Sequence, residues 1–186
     1  MSKKKFKTEI RLSGSGGQGL ITAGIILARA AVLDKVRVTQ TQSYGPESRG
    51  GASRADVIIS NEVFYFPEAT RFDVLLALTQ EAYDKFAFNL NDDGILIADN
   101  TFVKNISLMD TEVYELPFTE IATKELGSPL PTNIMSLAFL VKVTGVVSEA
   151  SLKKAVTESV KPQYVDMNLK AMRLGRKLAD TYSEEA

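Results

Sequence analysis

Gly14-Ser15-Gly16-Gly17-Gln18-Gly19 decides how this chain is read. The alternating stretch in front of it, Lys7-Thr8-Glu9-Ile10-Arg11-Leu12, reads as a strand. The stretch behind it, Leu20 to Lys35, reads as a helix. Strand, glycine turn and helix together form the arrangement by which an α/β protein receives a phosphate. Glycine lets the backbone turn tightly and come close to a ligand. The free N–H groups and the dipole of the helix N-terminus then favour an anion. The literal spacing G-x-G-x-x-G is common, and it is the strand before it and the helix after it that give it weight.

Moving outward, Leu20–Leu33 is apolar almost all round, which marks a buried helix. Its small residues Gly24, Ala28 and Ala31 form a stripe suited to close packing on a sheet. Further strands are expected at Val36–Gln40, Arg54–Ser60, Phe72–Leu78 and Gly94–Asp99, with a short one in Thr111–Leu116. The unbroken apolar run of Phe72–Leu78 is typical of a strand buried on both faces. Helices are expected at Gln80–Leu90, at Phe118–Leu126, at Asn133–Val143 with Thr132 or Asn133 as cap, after a Ser148 cap, and at Gln163–Tyr182. Asn91-Asp92-Asp93-Gly94 is a turn signal, and Ser128-Pro129-Leu130-Pro131 must break a helix. This alternation predicts an α/β fold: one mostly parallel sheet with helices on both faces and a Rossmann-like glycine-rich first strand–helix turn. A single domain over residues 1–186 is expected. In such sheets the ligand crevice lies beyond the carboxyl ends of the strands. The glycine run stands at the end of the first strand, and a loop over Thr41–Ser53 follows the second, so the two are expected to converge on one cleft.

Composition excludes much. The net charge is −1, and the only basic run, Lys3-Lys4-Lys5, reads as a solvated end, so no nucleic-acid partner is expected. No stretch approaches the ~20 apolar residues that span a bilayer, and the charged start lacks the apolar core of a signal peptide. A cytoplasmic chain with no membrane contact is expected. There is no Cys and no His. Thiolate-held clusters, disulfides, cysteine nucleophiles, histidine triads and His-containing zinc sites are therefore excluded on this chain. No catalytic residue and no metal ligand is assigned.

The second loop, Gln42-Ser43-Tyr44-Gly45-Pro46-Glu47-Ser48-Arg49-Gly50-Gly51, combines permissive glycines with an aromatic, a carboxylate and an arginine. Arg49 has the planar fork that clamps a phosphate or carboxylate, and Gly50-Gly51 offer amide donors. The alternative is a surface loop in which Arg49 pairs with Glu47 and Tyr44 packs. An NAD reader needs Asp or Glu at the end of the second strand. Here Thr39-Gln40-Thr41-Gln42 stand there, with no carboxylate before Glu47, which leaves room for another phosphate-bearing ligand. The candidate binding residues are Gly14, Ser15, Gly16, Gly17, Gln18 and Gly19 in the first loop, and Ser43, Tyr44, Gly45, Glu47, Arg49, Gly50 and Gly51 in the second. Tyr65 and Phe66 read as core or interface, and Asp99-Asn100 as a strand-ending turn at the ligand edge.

These two motifs, joined by a small-residue helix, resemble the gamma subunit of 2-oxoacid:ferredoxin (acceptor) oxidoreductases over nearly the whole chain. Ser15 and the wording Tyr44-Gly45-Pro46-Glu47-Ser48-Arg49-Gly50-Gly51 are similar to the 2-oxoglutarate type; pyruvate-type subunits tend to carry arginine in place of Ser15. The resemblance implies a complex that decarboxylates a 2-oxoacid on thiamine diphosphate with Mg. Electrons pass through iron–sulfur clusters to ferredoxin or another acceptor, and the acyl group passes to coenzyme A. It implies alpha and beta catalytic subunits, with cluster cysteines on beta or on a small ferredoxin-like delta subunit. This chain would bind no cofactor alone and would serve assembly and the coenzyme A side of the site. The residues agree in one respect: the chain has no Cys, no His and no Gly-Asp-Gly followed by Asn-Asn, the thiamine signature. Two other readings stay open, a purely structural subunit and a stand-alone nucleotide-binding oxidoreductase.

Overall fold

The structure, a computed structural model, describes residues 6–43, 52–64, 68–107 and 111–185, with side chains to Tyr182. Its strands are β1 Lys7–Ser15, β2 Arg37–Ser43, β3 Ala52–Ser60, β4 Phe72–Ala77, β5 Leu90–Asp99 and β6 Glu112–Leu116. Its helices are α1 Leu20–Leu33, α2 Gln80–Phe86, α3 Phe118–Leu126, α4 Thr132–Thr144, α5 Glu149–Ser159 and α6 Val165–Glu185. The strands form one sheet in the order β2-β3-β1-β4-β5-β6. The pairs β1/β4, β4/β5 and β5/β6 are parallel, and β3 runs antiparallel to both of its neighbours. Every strand but β3 therefore points the same way. The expected mostly parallel α/β sheet is what forms, and the β2–β3 hairpin inserted beside β1 is its one departure.

The period of two along the strands sends alternate residues to two cores. Ile10, Leu12, Val74, Leu76 and Ile97 face the layer of α1, α3, α4, α5 and α6. Phe72, Leu75, Leu96 and Ala98 face α2. Gly24 shows why α1 carries small residues: a Cβ there would stand 2.7 Å from the Ala55 Cβ on β3. On the α2 side β1 turns polar residues inward, and each finds a partner. Arg11 donates to both oxygens of Asp56, at 2.7 Å each, and its guanidinium lies 4.2 Å from the Phe72 ring centre. Ser13 Oγ donates to the Leu76 carbonyl at 2.9 Å.

Several local expectations shift. Asn91–Gly94 is not a free turn but part of β5: Phe72 pairs with Leu90 and Val74 with Ile95, so these four residues bulge opposite Asp73 alone. Asp73 holds the bulge by accepting from Asn91 Nδ2 at 2.8 Å and from the Glu9 amide at 2.8 Å. The loop expected over Thr41–Ser53 is narrower, because Thr41–Ser43 and Ala52–Ser53 extend the strands. Ser148 caps α5 through the Ser151 amide. Neither Thr132 nor Asn133 caps α4, whose N-cap is Pro131. Thr132 Oγ1 donates instead to the Pro129 carbonyl at 2.7 Å, and the Asn133 side chain reaches across to the glycine turn. Tyr65 and Phe66 lie outside the described residues.

Candidate functional site

The six residues of the glycine run fall into three groups. Gly14 and Ser15 belong to β1, opposite Ser53 and Ala52 of β3, so the turn itself is Gly16–Gly19. Gly14 is there for packing: a Cβ would meet Gln18 Oε1 at 2.3 Å, Leu20 Cδ1 at 2.9 Å and Leu78 Cβ at 3.2 Å. Gly19 is the N-cap of α1 with φ +73, and a Cβ there would stand 2.6 Å from Asn133 Nδ2. Of the glycines in this run, only Gly16 and Gly17 have no atom within 4 Å of where a Cβ would sit. They are the exposed crown of the turn, where a ligand can reach the backbone.

Two side-chain amides brace this turn. Gln18 Oε1 accepts from the Ser15 amide at 2.7 Å, and Asn133 Nδ2 donates to the Gly19 carbonyl at 2.9 Å. The amides of Gly16, Gly17 and Gly19 have no hydrogen-bond acceptor among the described residues. No side chain caps α1 and no acidic residue lies in its first turn. The result is a set of open donors at the positive end of a helix.

The hairpin arrives at the same place. Ser43, the last residue of β2, pairs with Arg54, and Ala52, the first of β3, pairs with Ser15. The described ends of the second loop therefore flank the glycine turn, as the sequence led us to expect. Tyr44, Gly45, Glu47, Arg49, Gly50 and Gly51 lie outside the described residues. From the opposite side, Phe102 after β5, Thr119 at the start of α3, Pro129 and Leu130 before α4, and Thr132 at its start close a pocket of about 200 Å³ against Gly17 and Gln18. A second, of about 260 Å³, lies beyond Leu130 and includes Thr22, Lys161 and Tyr164. A third cavity, of about 310 Å³, lies among α4, α5 and α6 and has no residue of the glycine turn in its lining. The carboxyl edge of the sheet, with its open amides, is the site that the chemistry favours over volume.

Sequence reasoning missed Phe102, Thr119, Leu130 and Asn133. The rigid Pro129-Leu130-Pro131 step, which leaves Leu130 68% exposed, was the available signal. Asp99 at this edge is a buried strut: Oδ1 accepts from the Thr101 amide at 3.1 Å and Oδ2 from the Thr119 amide at 3.1 Å, tying β5 to α3. What the arrangement can do is bind an anion. No charged side chain among the described residues lines the 200 Å³ pocket. Among the described residues no group of three metal-binding side chains occurs, and without cysteine the chain does not fit a thiolate-held cluster.

Residues 9–178 match the family described as pyruvate ferredoxin/flavodoxin oxidoreductase. The chain is 43% identical over 178 residues to the 2-oxoglutarate synthase subunit KorC of Methanocaldococcus jannaschii, covering 94% of this chain and 95% of that one. Its fold is similar to that of the keto/oxoacid ferredoxin oxidoreductase gamma subunit from Geobacter sulfurreducens: 40% identity, TM-score 0.84, 94% of this chain and 99% of that chain. It is also similar, at 25% identity and TM-score 0.86, to a 2-oxoglutarate:ferredoxin oxidoreductase from Magnetococcus marinus with 2-oxoglutarate, coenzyme A and succinyl-CoA bound. There it matches over 96% of its own length but 32% of the longer chain. No helix among the described residues is long and apolar enough to cross a membrane. The chain belongs to the pyruvate ferredoxin/flavodoxin oxidoreductase family and is a gamma subunit of its 2-oxoacid oxidoreductases.

Proposed function

We propose that this subunit, one domain over residues 1–186, forms one wall of the coenzyme A site in a cytoplasmic complex that converts 2-oxoglutarate to succinyl-CoA and CO2. In this reading alpha and beta subunits hold thiamine diphosphate and Mg. Cluster cysteines lie on beta or on a small delta subunit, and electrons leave to ferredoxin or another acceptor. This chain holds none of these groups and is inactive alone. Its own work is to bind and to position. The observation that carries the proposal is the exposed Gly16–Gly17 crown, with amides unpaired among the described residues, at the carboxyl edge where the hairpin ends. A phosphate of coenzyme A would be held by these amides and by the N-terminus of α1, with Arg49 adding a charge-assisted contact.

The test is kinetic. A charge-assisted hydrogen bond is worth about 1.5–3 kcal/mol, so Arg49→Ala should raise the KM for coenzyme A in the assembled complex roughly ten- to a hundredfold. The KM for the 2-oxoacid should change far less. Unchanged kinetics for both would remove Arg49 from the site. Gly16→Val projects a side chain into the open space above the turn and should block ligand approach; normal activity would count against the phosphate cradle. The packing roles of Gly14 and Gly19 favour a second reading, in which the loops only seat neighbouring subunits. On that reading both variants alter assembly and leave the coenzyme A dependence of the intact complex as it was.

A further inference from the structure

A row of positive charge runs along α6. The buried residues Asn168, Ala171, Gly175 and Ala179 turn one side of this helix toward the rest of the molecule, chiefly toward α4. Lys170, Arg173 and Lys177, all exposed, stand on the opposite side at i, i+3 and i+7. At 1.5 Å per residue they span about 10 Å. None of the three has an ion-pair partner among the described residues. The neighbouring Arg176, by contrast, is held by Glu149 at 2.9 Å and Asp180 at 3.8 Å. Asp166, one turn before Lys170, is exposed on the same side.

Two grooves flank the row, and Lys170, Arg173 and Lys177 themselves line one of them beside Glu125. On the α5 side, the cavity of about 310 Å³ has Ala138, Leu152, Leu169 and Met172 in its lining, with Arg173 and Lys153 beside them. Lys153 also has no ion-pair partner among the described residues. On the α3 side a second groove, of about 270 Å³, runs past Leu126 and Leu174 to Glu125. The glycine turn lines neither groove. The whole chain is nearly neutral, with 22 Lys and Arg against 23 Asp and Glu, so this row is local.

The geometry points to a docking surface for an acidic, amphipathic segment of another polypeptide. Its carboxylates meet Lys170, Arg173 and Lys177, and its apolar side chains enter the groove between α5 and α6. A small carboxylate meets one or two cations, whereas three spread over about 10 Å need a chain. A second copy with the two-fold axis through the row would set the row against itself. Complementary charge of this kind chooses partners and speeds their encounter. The inference rests on the reading of this chain as one subunit of a complex and not on the ligand of the glycine turn.

The assembled complex, treated with a carbodiimide that joins amines to touching carboxylates, should yield links from Lys170 or Lys177 to Asp or Glu of a different subunit. An amine-acetylating reagent should label these two lysines several-fold more slowly in the complex than in the isolated chain. The variant Lys170→Glu/Arg173→Glu/Lys177→Glu should bind the remaining subunits roughly tenfold more weakly in dilute salt, with the gap closing as salt rises. If both lysines label equally fast in the two states and link to no other subunit, the inference is overturned, even where the coenzyme A kinetics hold. Links only between two copies of this chain overturn it as well, as does protection of the lysines by added decanoate alone. Should the triple variant fail to fold, cross-linking and labelling of the unaltered complex still decide.

Discussion

Asp56 ties β3 to β1 through a buried ion pair. It lies 4% exposed and accepts from Nε and Nη2 of Arg11, itself 3% exposed beneath Phe72 and Phe86. Asp56→Ala leaves that guanidinium buried and uncompensated and should cost about 3–5 kcal/mol by urea unfolding. Adding Arg11→Leu should recover most of the loss, because an apolar pair of similar size needs no desolvation. An unrecovered double variant would show that the pair stabilises outright. Sequence gave no sign of it, since Ile10-Arg11-Leu12 alternates like any strand with one wet face. The glycines were legible as a group but not in their roles. Gly19→Ala puts a Cβ at φ +73 against Asn133 and should destabilise by more than about 1 kcal/mol. Gly16→Ala meets nothing within 4 Å and should stay within about 0.5 kcal/mol of the parent. Sorting them required knowing that Gln18, Leu20, Leu78 and Asn133 crowd Gly14 and Gly19, and the Leu78 and Asn133 contacts join distant parts of the chain.

Among the elements, the clasp between α1 and α5 responds to acid. Partial burial pushes the Asp34 carboxyl up. Hydrogen bonds from Ser151 Oγ, the Ser148 amide and Ser148 Oγ outweigh that and hold its pKa below the usual 3.8. A lowered folded pKa means stability that is present above 3.8 and lost as pH falls through the lower value. Asp34→Asn should therefore melt lower than the parent near neutrality, and the gap should close only in strong acid; a gap constant with pH would contradict the clasp. Tyr114 on β6 behaves oppositely. Burial first, then the hydrogen bond to Glu112, raises its phenol to about 12. Its contribution is present below the ordinary 10 and lost as pH rises toward 12. Tyr114→Phe should flatten the alkaline limb of the melting profile. The elements themselves were readable from periodicity and punctuation. The bulge at Asn91–Gly94 and the missing side-chain cap of α4 were not, because Asp73 and Gly19, the partners that decide them, lie far off in sequence.

At the scale of the whole molecule, the sheet brings three separate stretches to one rim: the glycine turn after β1, the ends of the β2–β3 hairpin, and the segments leading into α3 and α4. The first two were anticipated from glycine and arginine content and from the rule that ligands sit beyond strand carboxyl ends. The third carries no chemical signature in sequence; its Phe102 and Leu130 become meaningful only once they stand exposed beside the turn, at 47% and 68%. The insertion of antiparallel β3 beside β1 was equally unreadable, yet it is what delivers the hairpin to the site. The chain is a gamma subunit of the family's 2-oxoacid oxidoreductases, and a rim that would bind without reacting suits a part of a larger machine. The most direct measurement is a structure of the assembled complex soaked with coenzyme A. A phosphate within hydrogen-bond distance of the Gly16–Gly19 amides is the result expected here. Coenzyme A bound elsewhere, with the glycine turn buried against a neighbouring subunit and touching no anion, would contradict it.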